Sequence, residues 1–211
     1  YGRAKQRLFE RQEPEDWSVW NADDPEITKR RVGTAAPLEF SIRGPVREGA
    51  YHESGSIGLA WRGGTERLLE ASELRLRGAH NLSNVLAAIA TVLPLEPPLG
   101  AVREALRAYP GLEHRLEPAG AVGGVEFVND SKATNVSSLE VALASFPDRV
   151  VLIAGGRDKG QDFRPLAAAV QRSVARLVLI GEGADRIAAA WPGVPVTRAA
   201  TLAEAVDAAF A

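Results

Sequence analysis

The spacing of hydrophobic and polar residues divides the first half of the chain into several elements. From 38 to 77, short runs alternate in polarity with a period of two, and Arg62-Gly63-Gly64-Thr65 interrupts them where a hairpin turn belongs. This pattern predicts a small antiparallel meander. Upstream of it we expect a helix over 4–11 and a short strand that begins at Trp17 and ends in a turn.

Helical spacing follows the meander. The stretch "NLSNVLAAIATVL" at 81–93 carries an apolar stripe and predicts a helix, with Asn81 or Ser83 as candidate N-caps. A proline-rich break then leads to a second predicted helix over 101–108.

Beyond Gly111 the pattern becomes strand, helix, strand. Three apolar runs, "GVEFVND", "RVVLIAGG" and "ARLVLIGEG", stop at polar or glycine-rich turns, and helical stretches lie between them. The alternation predicts βαβ units with a parallel sheet, and it places a domain boundary near Gly111. Because ligands bind at the carboxyl ends of parallel strands, we expect "NDSKATN", "GGRDKGQDF" and "GEGAD" to line one edge.

The segment "NDSKATN" at 129–135 has six polar side chains in seven positions. Asn129 and Asp130 would by themselves be explained by ending a strand and capping the next helix. Lys132 adds a cation that capping does not require, and Lys159 stands in the following turn between two aspartates. Two lysines on adjacent strand-end loops predict an anionic ligand.

Composition excludes several functions. A formal net charge of -2 gives no electrostatic surface for nucleic acid, and no apolar run is long enough to cross a membrane. The absence of cysteine removes disulfides and thiolate metal sites, which agrees with a cytoplasmic location. The histidines have no zinc-like spacing, and neither GxSxG, GxGxxG nor GxxxxGK[ST] occurs. Since the chain also has no methionine, we expect it to be part of a longer protein.

Five motifs together resemble the Mur ligases, and within them the ligases that add D-glutamate. Their order and spacing agree with that family over essentially the whole chain, and "NDSKATN" differs from the sequence at this position in the other Mur ligases and in folylpolyglutamate synthase. One small departure is Glu113, where family members often have proline. The motifs are "NADDP" at 21–25, "GAHNLSN" at 78–84, "GLEHR" at 111–115, "NDSKATN" at 129–135 and "GGRDKGQDF" at 155–163.

The resemblance implies an α/β fold in two domains. Residues 1–111 would be the later part of a P-loop-type central ATP-binding domain, which contains the small antiparallel meander. Residues 112–211 would be most of a Rossmann-like, parallel-sheet C-terminal domain that binds the amino acid. The implied activity is ATP-dependent addition of D-glutamate to UDP-N-acetylmuramoyl-L-alanine through an acyl phosphate, by a monomeric enzyme. Because the phosphate loop is not in this sequence, we expect the chain alone to be inactive.

The resemblance also assigns nucleotide and substrate roles. Asn81 and Asn84 match residues that contact adenine, for which an amide suits because it donates and accepts at once. Arg115 and Asp130 match residues near the ribose and phosphates of ATP. Lys132 matches a group that neutralises phosphate or carboxylate charge during catalysis.

Three further assignments concern the acceptor and the metal. Thr134 and Lys159 match groups that hold the D-glutamate carboxylate. Lys5 aligns with a lysine that relatives carbamylate, which would make it a ligand for Mg²⁺. Without the resemblance, Lys5 would be an ordinary exposed lysine on a helix.

A second class of function remains open from the residues themselves. The chain is also compatible with a non-catalytic Rossmann module that binds a nucleotide or another ligand, because a fold does not determine a function.

Overall fold

The computed structural model describes residues 2–157 and 160–211, which form two compact units, Tyr1–Pro110 and Gly111–Ala211. Among the described residues, no helix has the length and apolar character needed to cross a membrane.

The first unit is a sheet covered by helices. Its helices are α1 (Gly2–Gln6), α2 (Pro25–Thr28), α3 (Ala79–Val92) and α4 (Leu99–Ala108), and its strands are β1 (Trp17–Asn21), β2 (Ala36–Ser41), β3 (Gly49–Glu53), β4 (Ser56–Trp61) and β5 (Gly64–Glu70). Short 3-10 helices lie at Ala71–Glu73 and Leu93–Leu95. The helix expected over 4–11 begins earlier and ends at Gln6.

The five strands follow the order β1-β2-β3-β4-β5. Strand β2 pairs in parallel with β1 and β3, whereas β3, β4 and β5 pair antiparallel. The predicted meander is therefore confirmed for β3 to β5 and wrong for β2. The excursion through α2 turns the chain back, so that β2 runs alongside β1 in the same direction.

The hairpin between β4 and β5 has the turn that the sequence predicted. Trp61 pairs with Gly64, and the two intervening residues, Arg62 and Gly63, have φ of 50° and 78°. Positive φ at both central positions is the geometry of a type I′ turn, whose twist matches that of the flanking strands.

The end of the predicted meander is not a strand. Ala71–Glu73 forms a 3-10 helix in which the Glu70 backbone N–H donates to Glu73 Oε1 at 2.9 Å. Arg107 of α4 donates from Nε to the other Glu73 oxygen at 2.7 Å. The Leu74 N–H donates to the Ala71 carbonyl within this 3-10 turn, so the alternating pattern that runs up to 77 does not continue as a strand after β5.

Helix α3 packs across the sheet and supplies much of the core of the first unit. Val85, Leu86, Ile89 and Ala90 are buried on its inner face, as the apolar stripe predicted. Full burial of a leucine such as Leu86 contributes about 2 kcal/mol. The candidate caps were wrong, because α3 begins one turn earlier and its N-cap is Gly78, at φ 88°.

The second unit contains a hairpin and a separate parallel sheet. Its strands are β6 (Glu117–Val122), β7 (Val125–Asn129), β8 (Val150–Gly155), β9 (Val174–Ile180) and β10 (Val196–Arg198), and its helices are α5 (Val136–Leu143), α6 (Ala167–Ser173), α7 (Ala184–Ala190) and α8 (Leu202–Phe210). A 3-10 helix at Arg164–Leu166 precedes α6.

The parallel sheet has the order β10-β9-β8, and β7 is not part of it. Instead β7 pairs antiparallel with β6. Gly123 and Gly124 join these two strands with φ of 57° and 82°, which allows a tight hairpin. The parallel sheet is confirmed for β8 and β9, but the expectation that "GVEFVND" belongs to it was wrong.

Strand β9 is the centre of the second core. Leu177, Val178 and Leu179 are fully buried, as expected for a middle strand covered on both faces. Trp191, which is 1% exposed, packs edge-on against Phe163 and donates from its indole nitrogen to the Phe163 carbonyl at 2.8 Å. This bond satisfies the one polar group that the buried indole carries.

Candidate functional site

Arg115 lies on a turn whose backbone is unusual on both sides. His114 and Leu116 have φ of 64° and 45°, in the left-handed region that residues other than glycine seldom adopt. Each such residue costs about 1 kcal/mol or more, so other interactions must hold the turn. The Arg115 side chain itself is exposed.

Hydrogen bonds from the segment after β7 hold this turn in place. The Leu116 N–H donates to Asp130 Oδ1 at 3.1 Å, and the Lys132 N–H donates to the His114 carbonyl at 3.0 Å. Asp130 and Lys132 are therefore brought beside the Arg115 turn. The structure joins "GLEHR" and "NDSKATN", which are distant in sequence, into one polar cluster.

Glu117 belongs to the same cluster, although the sequence did not single it out. Its Oε2 accepts from the His114 backbone N–H at 2.8 Å and from Asn129 Nδ2 at 3.2 Å. The Asn129 amide also lies 2.8 Å from His114 Nδ1. In the sequence, Glu117 has no feature that distinguishes it from other strand residues. Its position opposite Asn129 follows from the antiparallel register of β6 and β7.

Helix capping in this region falls to a residue that the sequence had not favoured. Asn135 Oδ1 accepts from the Ser138 N–H at 2.8 Å and caps α5. Asn129 Oδ1 instead accepts from the Ser131 N–H at 3.1 Å, which shapes the turn after β7. The reading of Asn129 and Asp130 as the helix cap is therefore wrong, because the helix begins six residues after Asp130.

Lys132 and Thr134 are exposed in the turn that connects β7 to α5. Backbone bonds from Ala133 to Asp130 at 2.8 Å and from Thr134 to Lys132 at 2.9 Å fix the turn. Within the described ranges, no hydrogen bond or ion pair occupies Lys132 Nζ or Thr134 Oγ1. Both groups are available to a ligand.

The glycine-rich turns after β8 and β9 meet at the carboxyl edge of the parallel sheet, as expected. The Gly156 N–H donates to the Ile180 carbonyl at 3.0 Å, and the Gly183 N–H donates to the Gly156 carbonyl at 3.0 Å. Lys159 and its neighbour Asp158 lie outside the described residues. The expectation that "NDSKATN" shares this edge was wrong, because β7 belongs to the hairpin.

Asp162 is paired with a neighbour in sequence. Arg164 donates to both Asp162 carboxylate oxygens, at 2.9 Å each. The guanidinium lowers the pKa of Asp162 to about 2, and the pKa of Arg164 is raised in return. The carboxylate therefore stays ionised and neutralised at ordinary pH.

In the first unit, the two predicted adenine residues stand three apart at the start of α3. Asn84 is exposed, whereas Asn81 is only 7% exposed and donates from Nδ2 to the Arg77 carbonyl at 2.8 Å. Residues three apart share one face of a helix. The Asn84 side chain is therefore open to solvent, whereas the Asn81 amide is bonded to the turn before the helix.

Lys5 is exposed on α1. In the same unit, the motif "NADDP" has structural contacts, since Asp23 accepts from the Ser41 hydroxyl and the Ile42 N–H at 2.7 Å each. Asp24 caps α2. Within 2–157 and 160–211, no three histidine or carboxylate side chains come together as a metal site.

Comparison with known proteins gives matches along almost the whole chain. The family model of the Mur ligase middle domain matches residues 1–92, and that of the Mur ligase glutamate ligase domain matches residues 114–211. A UDP-N-acetylmuramoylalanine--D-glutamate ligase of Symbiobacterium thermophilum is 42% identical over 98% of this chain and 47% of the relative. The chain thus spans about half the length of the curated relatives it matches.

Solved structures share the fold. The UDP-N-acetylmuramoylalanyl-D-glutamyl-2,6-diaminopimelate--D-alanyl-D-alanyl ligase from Acinetobacter baumannii superposes with a TM-score of 0.72 at 19% identity, covering 98% of this chain and 47% of that one. A MurF ligase from Thermotoga maritima, solved in complex with ADP, has a TM-score of 0.63 at 15% identity, covering 93% and 47%. With both domain matches in the expected order, the chain belongs to the Mur ligase family.

Proposed function

We propose that this chain is part of an ATP-dependent ligase that joins D-glutamate to UDP-N-acetylmuramoyl-L-alanine. The observation that carries the proposal is the 42% identity, over 98% of the chain, to a relative named for that reaction. A ligase named for a different acceptor has the same fold at only 19% identity. Since the fold serves several acceptors, the sequence similarity, and not the fold, selects D-glutamate.

The proposed reaction has two steps. The muramoyl-alanine carboxylate takes the γ-phosphoryl group of ATP, which gives an acyl phosphate and ADP. The amine nitrogen of D-glutamate then attacks the acyl carbon, a C–N bond forms, the C–O bond to phosphate breaks, and the amine loses a proton. Positioning and charge neutralisation supply most of the catalysis in such transfers.

The described residues support separate roles in binding the nucleotide. Exposed Asn84 would contact the adenine edge, and Asn81 would hold the turn that presents it. Arg115 would neutralise phosphate charge, while Asp130, which already accepts from the Leu116 N–H at 3.1 Å, would order the Arg115 turn and lie near the ribose. The ADP complex of the Thermotoga maritima ligase supports a nucleotide on this fold.

Acceptor binding would fall to the turn after β7 and to the loop after β8. The available Lys132 ammonium and Thr134 hydroxyl are suited to carboxylate or phosphate oxygens. Lys159 would supply the second cation for the D-glutamate carboxylate. A cytoplasmic location follows from the proposal, because ATP and UDP-linked precursors are cytoplasmic metabolites.

The proposal is tested by measuring phosphate release by the complete protein. Release should require ATP, UDP-N-acetylmuramoyl-L-alanine and D-glutamate together, and omission of any one should stop it. Equal rates with L-alanine or another amino acid would refute the proposed acceptor. ATP binding without any phosphate release would favour a non-catalytic nucleotide-binding module.

We also propose that Lys5 is carbamylated and contributes one oxygen ligand to Mg²⁺. Carbamylation joins the lysine nitrogen to CO₂ through a new N–C bond. The ammonium releases two protons in the process, which turns a cation into a carboxylate-like anion. Such a ligand fits Mg²⁺, which is commonly held by one or two protein oxygens together with substrate phosphates and water. The exposure of Lys5 allows CO₂ to reach its amine.

The test of Lys5 is chemical rescue. In the complete enzyme, Lys5→Ala should lower kcat by about a hundredfold or more, and acetate or formate should restore part of it by replacing the lost anion. Lys29→Ala is the matched control, since Lys29 is an exposed lysine whose side chain pairs with Glu26, three residues earlier. A Lys5→Ala enzyme with near-normal rate would exclude the carbamate.

A further inference from the structure

Gln161 connects two segments that the proposed function assigns to acceptor binding. It lies at the end of the loop after β8, two residues beyond Lys159. Its Nε2 donates to the Thr134 carbonyl at 3.0 Å, and its Oε1 accepts from the Val136 N–H at 3.1 Å. One amide side chain thus spans the end of the turn after β7 and the start of α5.

The Thr134 carbonyl and the Val136 N–H, to which Gln161 is bonded, are not paired within a helix or a strand. Val136 is the first residue of α5, and the first N–H groups of a helix have no partner within the helix. The N-cap Asn135 uses its Oδ1 for the Ser138 N–H at 2.8 Å, so it does not satisfy Val136. An amide is the side chain that can donate to a carbonyl and accept from an N–H together.

The main chain of Gln161 is held in turn by α7. Arg186 donates from Nη2 to the Gln161 carbonyl at 2.9 Å. Next along the chain, Arg164 pairs with Asp162. The Gln161 main chain is therefore fixed from a helix that packs on the parallel sheet.

We propose that Gln161 is a positioning residue for the amino-acid acceptor, acting through the main chain of Thr134. Its two hydrogen bonds hold the Thr134 carbonyl and the start of α5 in register with the loop after β8. The Thr134 hydroxyl and the Lys132 ammonium then keep their places with respect to the acceptor carboxylate. This role rests on the proposed function.

The sequence context explains why Gln161 escapes notice. In "GGRDKGQDF" the charged residues and glycines suggest chemistry, whereas a single glutamine reads as a polar loop residue. Its role emerges only because the fold places Gln161 next to Thr134, 27 positions earlier.

The test uses the complete enzyme with Gln161→Leu, which removes both bonds with little change in side-chain size. A small displacement of a binding group can weaken use of its substrate by about ten- to a hundredfold. We expect the KM for D-glutamate to rise about tenfold or more, with the KM values for ATP and the UDP-linked substrate changed less than about twofold. Gln161→Glu keeps the acceptor for Val136 but loses the donor to Thr134, and should have the same selective effect.

Gln171→Leu is the matched control. Gln171 is an exposed glutamine of the same unit whose Nε2 donates to the Pro192 carbonyl at 3.3 Å. Gln171→Leu should leave the KM values for D-glutamate, ATP and the UDP-linked substrate unchanged. Backbone hydrogen exchange over 133–138 should quicken in Gln161→Leu and not in Gln171→Leu.

The outcomes separate this role from the proposed function. If the wild type is active with D-glutamate and Gln161→Leu leaves its KM unchanged, the positioning role is overturned and the ligase activity stands. Equal losses for all substrates, together with a lowered Tm in both Gln161 variants, would show a structural role only and would also overturn it. A wild type that couples no amino acid to the muramoyl substrate would overturn both proposals.

Discussion

The turn at Arg115 illustrates how residues in this protein are held in costly backbone conformations by polar side chains. The two neighbours of Arg115 occupy left-handed backbone, which is worth about 1 kcal/mol or more of strain each. Hydrogen bonds from the His114 N–H to Glu117 and from the Leu116 N–H to Asp130 offset that strain. The partners lie in β6 and in the turn after β7, so the hairpin and the Arg115 turn stabilise one another.

At this scale we predict that Lys159 controls acceptor binding. In the complete enzyme, Lys159→Ala should raise the KM for D-glutamate far more than the KM for ATP, because the D-glutamate carboxylate would lose its cationic partner. The corresponding loss of binding free energy is at most about 2–4 kcal/mol. Steady-state kinetics with each substrate varied in turn measures this. Arg172→Ala, which removes an exposed cation from the last turn of α6, should leave both KM values unchanged. An unaltered KM for D-glutamate in the Lys159 variant would refute the role.

Elements with strong periodicity were predicted well, because the spacing of their apolar residues indicates which face of the helix or strand is buried. Helix α3 and strands β8 and β9 are examples, as is the hairpin at Arg62-Gly63. The position of β7 could not be predicted in the same way. Its residues alternate like any half-buried strand, and its partner depends on whether the chain turns at Gly123 or crosses over.

The polar cluster was predicted only in part for a related reason. Sequence marked Arg115, Asp130 and Lys132 through their motifs, but Glu117 and Gln161 act through contacts made across strands and loops. Such contacts depend on strand register and on the packing between elements, and neither can be predicted from the spacing of residues in the sequence. The N-cap of α3 was wrong for the same reason: the helix begins after Gly78, and neither of the predicted polar residues caps it.

Gly155, at the end of β8, leads to a prediction about how closely β8 and β9 can pack. A Cβ placed on Gly155 would lie 1.9 Å from the Ile180 carbonyl oxygen, so that β8 and β9 can approach only with glycine there. Gly155→Ala should therefore reduce the free energy of unfolding by more than about 3 kcal/mol, since backbone must shift. Gly120→Ala is the matched control, because its φ of 132° is close to the 135° of Gly155 but its Cβ would meet no atom within 4 Å.

The comparison is made by urea unfolding monitored by circular dichroism and by tryptophan fluorescence. In Gly120→Ala the free energy of unfolding should fall by about 1–3 kcal/mol, from backbone strain alone. This loss should be clearly smaller than the loss in Gly155→Ala. Equal losses in the two variants would show that the close approach of β8 to β9 is not what requires glycine.

On the scale of the whole molecule, each unit has its own buried core. One core gathers α3 against the mixed sheet, and the other surrounds β9 with α6 and α7. The predicted nucleotide residues are divided between the units, with Asn81 and Asn84 in the first and Arg115 and Asp130 in the second. Under the proposed function the nucleotide roles are therefore divided between the units, whereas the acceptor roles of Thr134, Lys132 and Gln161 all fall in the second.

The last prediction concerns the 211 residues as an isolated chain. The sequence contains no GxxxxGK[ST] loop, whose backbone N–H groups would cradle the phosphates of ATP. In the proposed roles, Asn84, Arg115 and Asp130 would contact the base, the ribose and part of the phosphate charge, and none of them would replace the backbone N–H groups of a phosphate loop around the γ-phosphate. We therefore expect a Kd for ATP on the order of 1 mM or weaker, equivalent to about -4 kcal/mol, and no ligation.

Calorimetric titration with ATP and Mg²⁺ measures the affinity, and phosphate release measures ligation. Asn84→Ala should abolish the residual ATP binding, because an exposed amide at the start of α3 would be the main contact with the base. Asn135→Ala, which removes the cap of α5 and no proposed nucleotide contact, should leave it unchanged apart from a loss of stability of about 1 kcal/mol. Micromolar binding or measurable turnover would mean that these residues hold the phosphates without a phosphate loop.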